Sequence, residues 1–243
     1  MSVVALVVAA GSGTRFGGPV PKPLVDLEGR PVVAVAVASL AAGGCDAAIV
    51  LVSPGMQDAF AETVATAPIP VTLVEGGGTR QESVHRGLEA LAANLPAGPG
   101  DPARLRPPEV VLIHDAVRPL VPIDMTGRVV AAVRAGAVAV TPALPVVDSL
   151  RRVDADGSNT GVDRSVLRRI QTPQGFDFAT VLAVHRLAAE RGLEATDDVS
   201  VCEAAGHPVT LVEGAESAIK ITHPADLELV RLLVGLKAGE ESQ

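Results

Sequence analysis

The sequence predicts an α/β fold, a Rossmann-like and mainly parallel sheet flanked by helices. Two observations carry this. Short apolar runs at 3–8, 47–52, 71–74, 110–114 and 137–141 alternate with helical stretches, the βαβ rhythm that builds a parallel sheet. The first run leads directly into a glycine-rich loop, Ala9-Ala-Gly-Ser-Gly-Thr-Arg15, at the place where such folds hold phosphate. At 243 residues the chain can bury a large core, and one domain is expected over 1–243.

The first run, 3–10, is too short to span a bilayer and follows no basic residues, so it reads as a strand of a cytoplasmic protein and not as a membrane or signal segment. Pro31 opens a helix, Ser53-Pro54 caps a second, and Thr79-Arg-Gln-Glu82 is a capping box before a third that runs to about Ala93. Residues 94–108 hold five prolines and two glycines, which reads as a surface loop inserted within the domain. From about 144 to 164 the βαβ rhythm stops. Extended patches flank the turn-forming Asp154-Ala-Asp-Gly-Ser-Asn159, predicting a projecting β-hairpin arm. Helices are then expected at about 177–191, 197–205 and 224–237, with late strands at 209–212 and 218–222.

Composition narrows the partners. Aromatic residues make up 2%, with no Trp or Tyr, which disfavours single-stranded nucleic acid read by stacking. A net charge of −8 argues against any polyanion groove, so a small phosphorylated substrate fits better, with no nucleic-acid or membrane partner. Cys45 and Cys202 are far apart and in no metal-ligand spacing, and read as reduced structural thiols.

Within the loop, Gly11 and Gly13 let backbone N–H groups approach phosphate oxygens, and Arg15 and Lys22 add positive charge. Two commoner loops do not fit. A dinucleotide fingerprint needs glycine where Phe16 stands, and a Walker A loop from Gly13 meets Pro19 where lysine is required. The glycines alone are satisfied by a ligand-free turn; Lys22 tips the reading toward phosphate. Only Lys22, Lys220 and Lys237 are lysine among 20 basic residues, so a lysine at a phosphate loop marks a place where a compact point charge is wanted. Asp115, in His114-Asp-Ala-Val-Arg-Pro119, falls at the carboxyl end of a strand, where it suits a ribose or a metal-bound phosphate, or merely satisfies loop backbone. Gly76-Gly-Gly-Thr-Arg-Gln-Glu-Ser83 lets a flat base lie against backbone, with Ser83 available to read its edge.

Taken in order, these segments resemble the 2-C-methyl-D-erythritol 4-phosphate cytidylyltransferase family. The resemblance runs on through Pro21-Lys22, Pro145-Val-Val-Asp-Ser149, Val162-Asp-Arg164, Thr172-Pro-Gln174, Thr196-Asp-Asp198 and Ile219-Lys-Ile-Thr222. It implies the nucleotide-diphospho-sugar transferase type of fold, with the arm as a dimerisation element. The implied reaction is attack of a sugar phosphate oxygen on the α-phosphorus of CTP. A phosphomonoester is largely ionised at neutral pH and needs no general base, so catalysis is expected to be positional and electrostatic. The scattered histidines read accordingly as structural or solvated.

By resemblance, Arg15 and Lys22 stabilise the α-phosphate, and Ala9, Ala10, Gly11, Gly13, Gly77, Gly78, Arg80 and Ser83 hold the nucleotide. Asp115 and Ala116 would contact the ribose. Arg164 and Lys220 would grip methylerythritol phosphate, with Arg118, Ser149, Thr172 and Thr196 lining its pocket. Mg2+ is implied as a cofactor carried mainly by the CTP phosphates, and a homodimer with shared sites is implied as the assembly. Ser149, Arg151 and Val117 depart from the usual Thr, Lys and Ala. The Asp-Ala-Val-Arg-Pro form also occurs in the related ribitol 5-phosphate cytidylyltransferases, which are the alternative; Ala9-Ala-Gly11 and Ser83-Val84 favour the methylerythritol family. A nucleotide sensor without turnover would be marked by loss of Arg15, Lys22 or Lys220, and all three are present.

Overall fold

A computed structural model describes residues 2–11, 20–93 and 107–240, with side chains as far as 236. In chain order the elements are β1 (Val3–Val8), a 3-10 turn (Lys22–Leu24), the short strands β2 (Asp26–Leu27) and β3 (Arg30–Pro31), α1 (Val32–Ala42) and β4 (Ala47–Val52). Then come α2 (Gln57–Val64), β5 (Val71–Glu75), α3 (Arg80–Ala92), β6 (Val110–Asp115), α4 (Ile123–Arg134) and β7 (Ala139–Pro145). The arm strands β8 (Leu150–Val153) and β9 (Asn159–Val162) precede β10 (Arg168–Ile170), β11 (Gln174–Asp177), α5 (Phe178–Arg191), α6 (Asp198–Ala204), β12 (Val209–Glu213) and α7 (Pro224–Glu240).

The main sheet is mixed. β1 pairs in parallel with both β4 and β6, and β4 with β5, which makes the parallel half. β11 enters antiparallel between β6 and β7, and β12 pairs in parallel on the far edge of β7. Side chains alternate between the faces of each strand. On β1, Val4 and Leu6 join a core with Leu88, Leu91 and Val181 of α3 and α5, whereas Val3, Ala5 and Val7 join one with Val37, Leu40 and Phe60 of α1 and α2. Burial on both faces is why β1, β4 and β6 read as unbroken apolar runs.

β10 and β11 run antiparallel to the same edge of β7 but out of step: the six residues from Ile170 to Gly175 pass four of β7, from Ala143 to Val140. Gln171 N–H still donates to Pro142 O, so the excess falls beyond it, at Thr172 and Pro173, and the buried Thr172 side chain turns to the end of β6. A Cβ on Gly175 would stand 2.4 Å from Val129 Cγ1, so a glycine here lets α4 lie close on the sheet.

Several expectations need correction. Ser53-Pro54 does not cap α2; Ser53 closes a turn by accepting from the Met56 N–H, and the helix begins at Gln57. Residues 218–222 form no strand, because their backbone groups bond to side chains and to the Val117 carbonyl in place of a ladder. β7 starts two residues late and runs on to Pro145, so 144 and 145 belong to the main sheet and the arm proper is β8–β9. The proline-rich segment lies mostly outside the described residues. Thr79 caps α3 by accepting from the Glu82 N–H, as expected, while the Glu82 carboxylate turns back to the Gly78 N–H at 2.7 Å.

Candidate active site

Four parallel strands end on one side of the sheet, and the segments following them form a cleft of about 470 Å³. Ala9, Ala10 and Gly11 come from the end of β1, Ser53 from β4, Gly78, Thr79 and Arg80 from β5, and Asp115 and Val117 from β6. Lys22, Pro23 and Lys220 close the remaining side. Each loop leaves its strand under hydrogen-bond control: Ala9 N–H donates to Leu51 O, Gly76 N–H to Val52 O and Ala116 N–H to Val8 O. A Cβ on Gly76 would stand 2.6 Å from Ser83 Oγ and 2.7 Å from Ala10 Cβ, so glycine is needed where these two loops meet.

Asp115 is the carboxylate of this cleft. Lys220 Nζ lies 2.8 Å from its Oδ2, Arg80 Nε 3.3 Å from its Oδ1, and Arg118 Nε 3.8 Å from Oδ2. Burial alone would raise the Asp115 carboxyl, but Arg80 and Lys220 hold it well below the usual carboxylate range. Arg80 also reaches Asp198 at 2.7 Å, at the start of α6. Asp198 is buried, which opposes its charge, yet Arg80 and then His185 keep it ionised; His185 Nε2 stands 3.4 Å from its second oxygen. The guanidinium is thereby held between two carboxylates and faces the cleft in a defined orientation.

A second, neutral relay fixes Asp115 from behind. Its backbone N–H donates to Thr172 Oγ1 at 3.1 Å, and the hydroxyl stands 3.0 Å from His114 Nδ1. His114 Nε2 lies 3.0 Å from the Arg118 carbonyl, which can only accept, so Nε2 carries the proton and Nδ1 accepts from Thr172. Burial pushes the His114 imidazole down to about 4, consistent with this neutral tautomer.

Of the three lysines, Lys22 and Lys220 line this one cleft, and the side chain of Lys237 lies outside the described residues. Lys22 Nζ donates to the Ile221 carbonyl at 3.1 Å and the Thr222 carbonyl at 3.4 Å, so the segment carrying one lysine seats the other.

The other expected residues fall into four groups. Gly13 and Arg15 lie outside the described residues. Ser83, Ala116 and Thr172 are buried behind the cleft wall. Ser83 Oγ accepts from the Gly77 N–H at 3.0 Å and donates to Thr79 O at 2.8 Å, so it shapes the glycine loop from beneath and its one proton is committed there. Arg118 lines an adjoining hollow with Arg169, Gln171 and Lys220. Ser149 and Arg164, on the arm, and Thr196 are exposed and line none of this cleft; Arg164 hydrogen-bonds the Val147 carbonyl at the arm base.

Sequence reasoning missed the Arg80–Asp198–His185 chain and the Thr172–His114 relay. The available signal was the pair of adjacent acids, Asp197 and Asp198, at a helix start. Among the described residues no cluster of three or more His, Cys, Asp or Glu is arranged to hold a metal ion, and no helix is long and apolar enough to cross a membrane.

Fold and cleft together define an α/β protein of the nucleotide-diphospho-sugar transferase type. The family model for 2-C-methyl-D-erythritol 4-phosphate cytidylyltransferase matches residues 3–235. The chain belongs to that family. It is 42% identical over 239 residues to the 2-C-methyl-D-erythritol 4-phosphate cytidylyltransferase of Nocardia farcinica, covering 98% of this chain and 96% of that one. It is also 42% identical over 229 residues to the bifunctional enzyme IspD/IspF of Novosphingobium aromaticivorans, covering 93% of this chain but 55% of the relative, so it spans about half the length of such bifunctional proteins. Among solved structures, 2-C-methyl-D-erythritol 4-phosphate cytidylyltransferase from Thermus thermophilus superposes with a TM-score of 0.74 at 36% identity, covering 96% of this chain and 98% of that one.

Proposed function

We propose that this chain transfers CMP from CTP to 2-C-methyl-D-erythritol 4-phosphate, releasing pyrophosphate, in the non-mevalonate route to isoprenoid precursors. The observation that carries the reading is the convergence of Lys22 and Lys220 on a glycine-walled cleft at the carboxyl ends of four parallel strands. The acceptor phosphate oxygen forms a bond to the α-phosphorus, and the α–β bridging bond breaks with its electron pair leaving on pyrophosphate. The acceptor arrives ionised, so the protein's work is placement and charge. Ala9 to Gly11 and Gly78 offer backbone to the nucleotide, Lys22 neutralises charge building on the α-phosphate together with Arg15, and Asp115 holds Lys220 toward the acceptor side. Cations of the chain already face both oxygens of Asp115. Mg2+ would then be held chiefly by the triphosphate, whose charge it would offset.

The arm supports a homodimer. Val147, Val153 and Val166 are 66%, 69% and 76% exposed, apolar surface that a second copy would cover. Arg164 then serves the partner's site. Two soluble anionic substrates fit a single domain working in the cytoplasm.

Pyrophosphate release from CTP and Mg2+ tests the assignment. Methylerythritol phosphate should support turnover and ribitol 5-phosphate should not; faster turnover with ribitol 5-phosphate overturns it. Sharing of sites is tested by refolding Lys22→Ala and Arg164→Ala chains together in equal amounts. Half the dimers are mixed, each with one site holding both intact residues, so about a quarter of all sites should regain activity. Mixed dimers with no activity above the separate variants would place Arg164 in its own chain's site.

A further inference from the structure

The last segment before α7 does two things at once. Lys220 projects from it onto Asp115, and the carbonyls of Ile221 and Thr222 receive Lys22 Nζ. Its shape therefore sets both lysines of the cleft. One side chain from the first turn of α7 pins that shape: Asp226 Oδ2 accepts from the Thr222 N–H at 2.8 Å and the His223 N–H at 2.7 Å. A carboxylate in the first turn of a helix that reaches back to the N–H groups before it is an ordinary capping arrangement. Here the capped peptides are the ones whose carbonyls face Lys22. The N–H of Thr222 belongs to the same peptide plane as the Ile221 carbonyl, and the N–H of His223 to the plane of the Thr222 carbonyl. The groups of a trans peptide point in opposite directions, so fixing the two N–H groups on Asp226 aims the two carbonyls away from it, at Lys22 Nζ.

We infer that Asp226 is a positioning residue for Lys22, holding through two peptide planes the carbonyl seat from which the lysine reaches the reacting phosphate. The inference rests on the catalytic placement of Lys22 proposed above. Ile221 N–H donates to Val117 O at 2.9 Å and Arg118 to Ala218 O at 2.8 Å, anchoring the upstream end of the segment to the β6 loop. Asp226 is the anchor at the downstream end. It acts without touching substrate.

A double-mutant cycle in steady-state kinetics tests this, with thermal melts confirming folding. Lys22→Ala should lower kcat on the order of 100-fold with KM for CTP little changed, the scale for removing one transition-state donor. Asp226→Ala should lower kcat about tenfold with the same unchanged KM, a typical coupling between contacting groups. In the Lys22→Ala background it should lower kcat no further. Asp226→Asn, which keeps an acceptor oxygen for the two N–H groups, should stay within about twofold of the parent. If Asp226→Ala does not melt cooperatively, Asp226→Ser takes its place in the cycle, since its shorter hydroxyl cannot hold both N–H groups.

Losses that multiply in the double variant, or an Asp226 effect confined to KM, would show a cap that serves only α7 and overturn the inference. A Lys22→Ala chain with unchanged kcat would instead bring down the placement of Lys22 itself, and this inference with it.

Discussion

The cleft floor and the arm are built on opposite principles. Around Asp115, every charge meets an opposite one within the same chain: Lys220 and Arg80 on Asp115, then Arg80 on Asp198, with His185 beyond. On the arm, β8 and β9 pair only with each other, all their residues are exposed, and three valines nearby are more than 60% exposed. The floor is complete as a single chain and the arm is not. A two-stranded hairpin is marginal in water by itself, whereas a paired buried cluster is rigid because any unpaired member would be costly. Preorganised charge thus belongs to the fold, whereas the apolar surface of the arm stays exposed in the single chain.

Three experiments can break or sharpen that contrast. The largest effect is expected at the floor: Asp198→Ala leaves Arg80 uncompensated on one side and should cost about 4 kcal/mol of stability, read by urea denaturation at pH 7. A loss under 1 kcal/mol would mean the cluster is not the rigid element described. At the arm, Val166→Asp should leave chain stability nearly unchanged but weaken dimerisation on the order of 100-fold, since a valine is lost twice per two-fold interface. Sedimentation velocity reads this, and an unchanged association constant would remove Val166 from any interface.

The smallest effect concerns pH. His114 binds its proton at about 4 in the fold against 6.5 for the free side chain, so the unfolded chain takes up the proton first as pH falls. Stability then declines from pH 6.5 toward 4, by about 2 kcal/mol between pH 7 and pH 5. Asp115 and Asp198, whose folded values lie below the unfolded one, stabilise the fold above about pH 4 and lose that contribution only at lower pH. His114→Gln keeps a donor for the Arg118 carbonyl but cannot protonate. Its stability should be flatter than the parent's between pH 7 and 5, and an identical slope in both chains would show that His114 does not titrate in this window.

The legible parts of the sequence were those whose cause lies within a few residues. Short apolar runs revealed β1, β4 and β6, Thr79 with Glu82 marked the start of α3, and the Asp154–Asn159 run marked the arm's turn. The rarity of lysine pointed to Lys22, and the family resemblance to Lys220. Segment 218–222 misled because Ala-Ile-Lys-Ile-Thr has the alternation of a strand, yet its backbone is consumed by Arg118, Lys22 and Val117.

Local sequence thus determined most of the strands and the start of α3, since periodicity and capping act over one or two turns. Tertiary structure alone decided which charges meet. Arg80 and Asp198 stand 118 residues apart, and His114 and Thr172 stand 58 apart. Their pairing follows from strand order and from a two-residue bulge beside β7, and the energy that selects it comes from burying opposite charges and hydrogen-bond partners together, which depends on where the chain packs and not on what is adjacent in sequence.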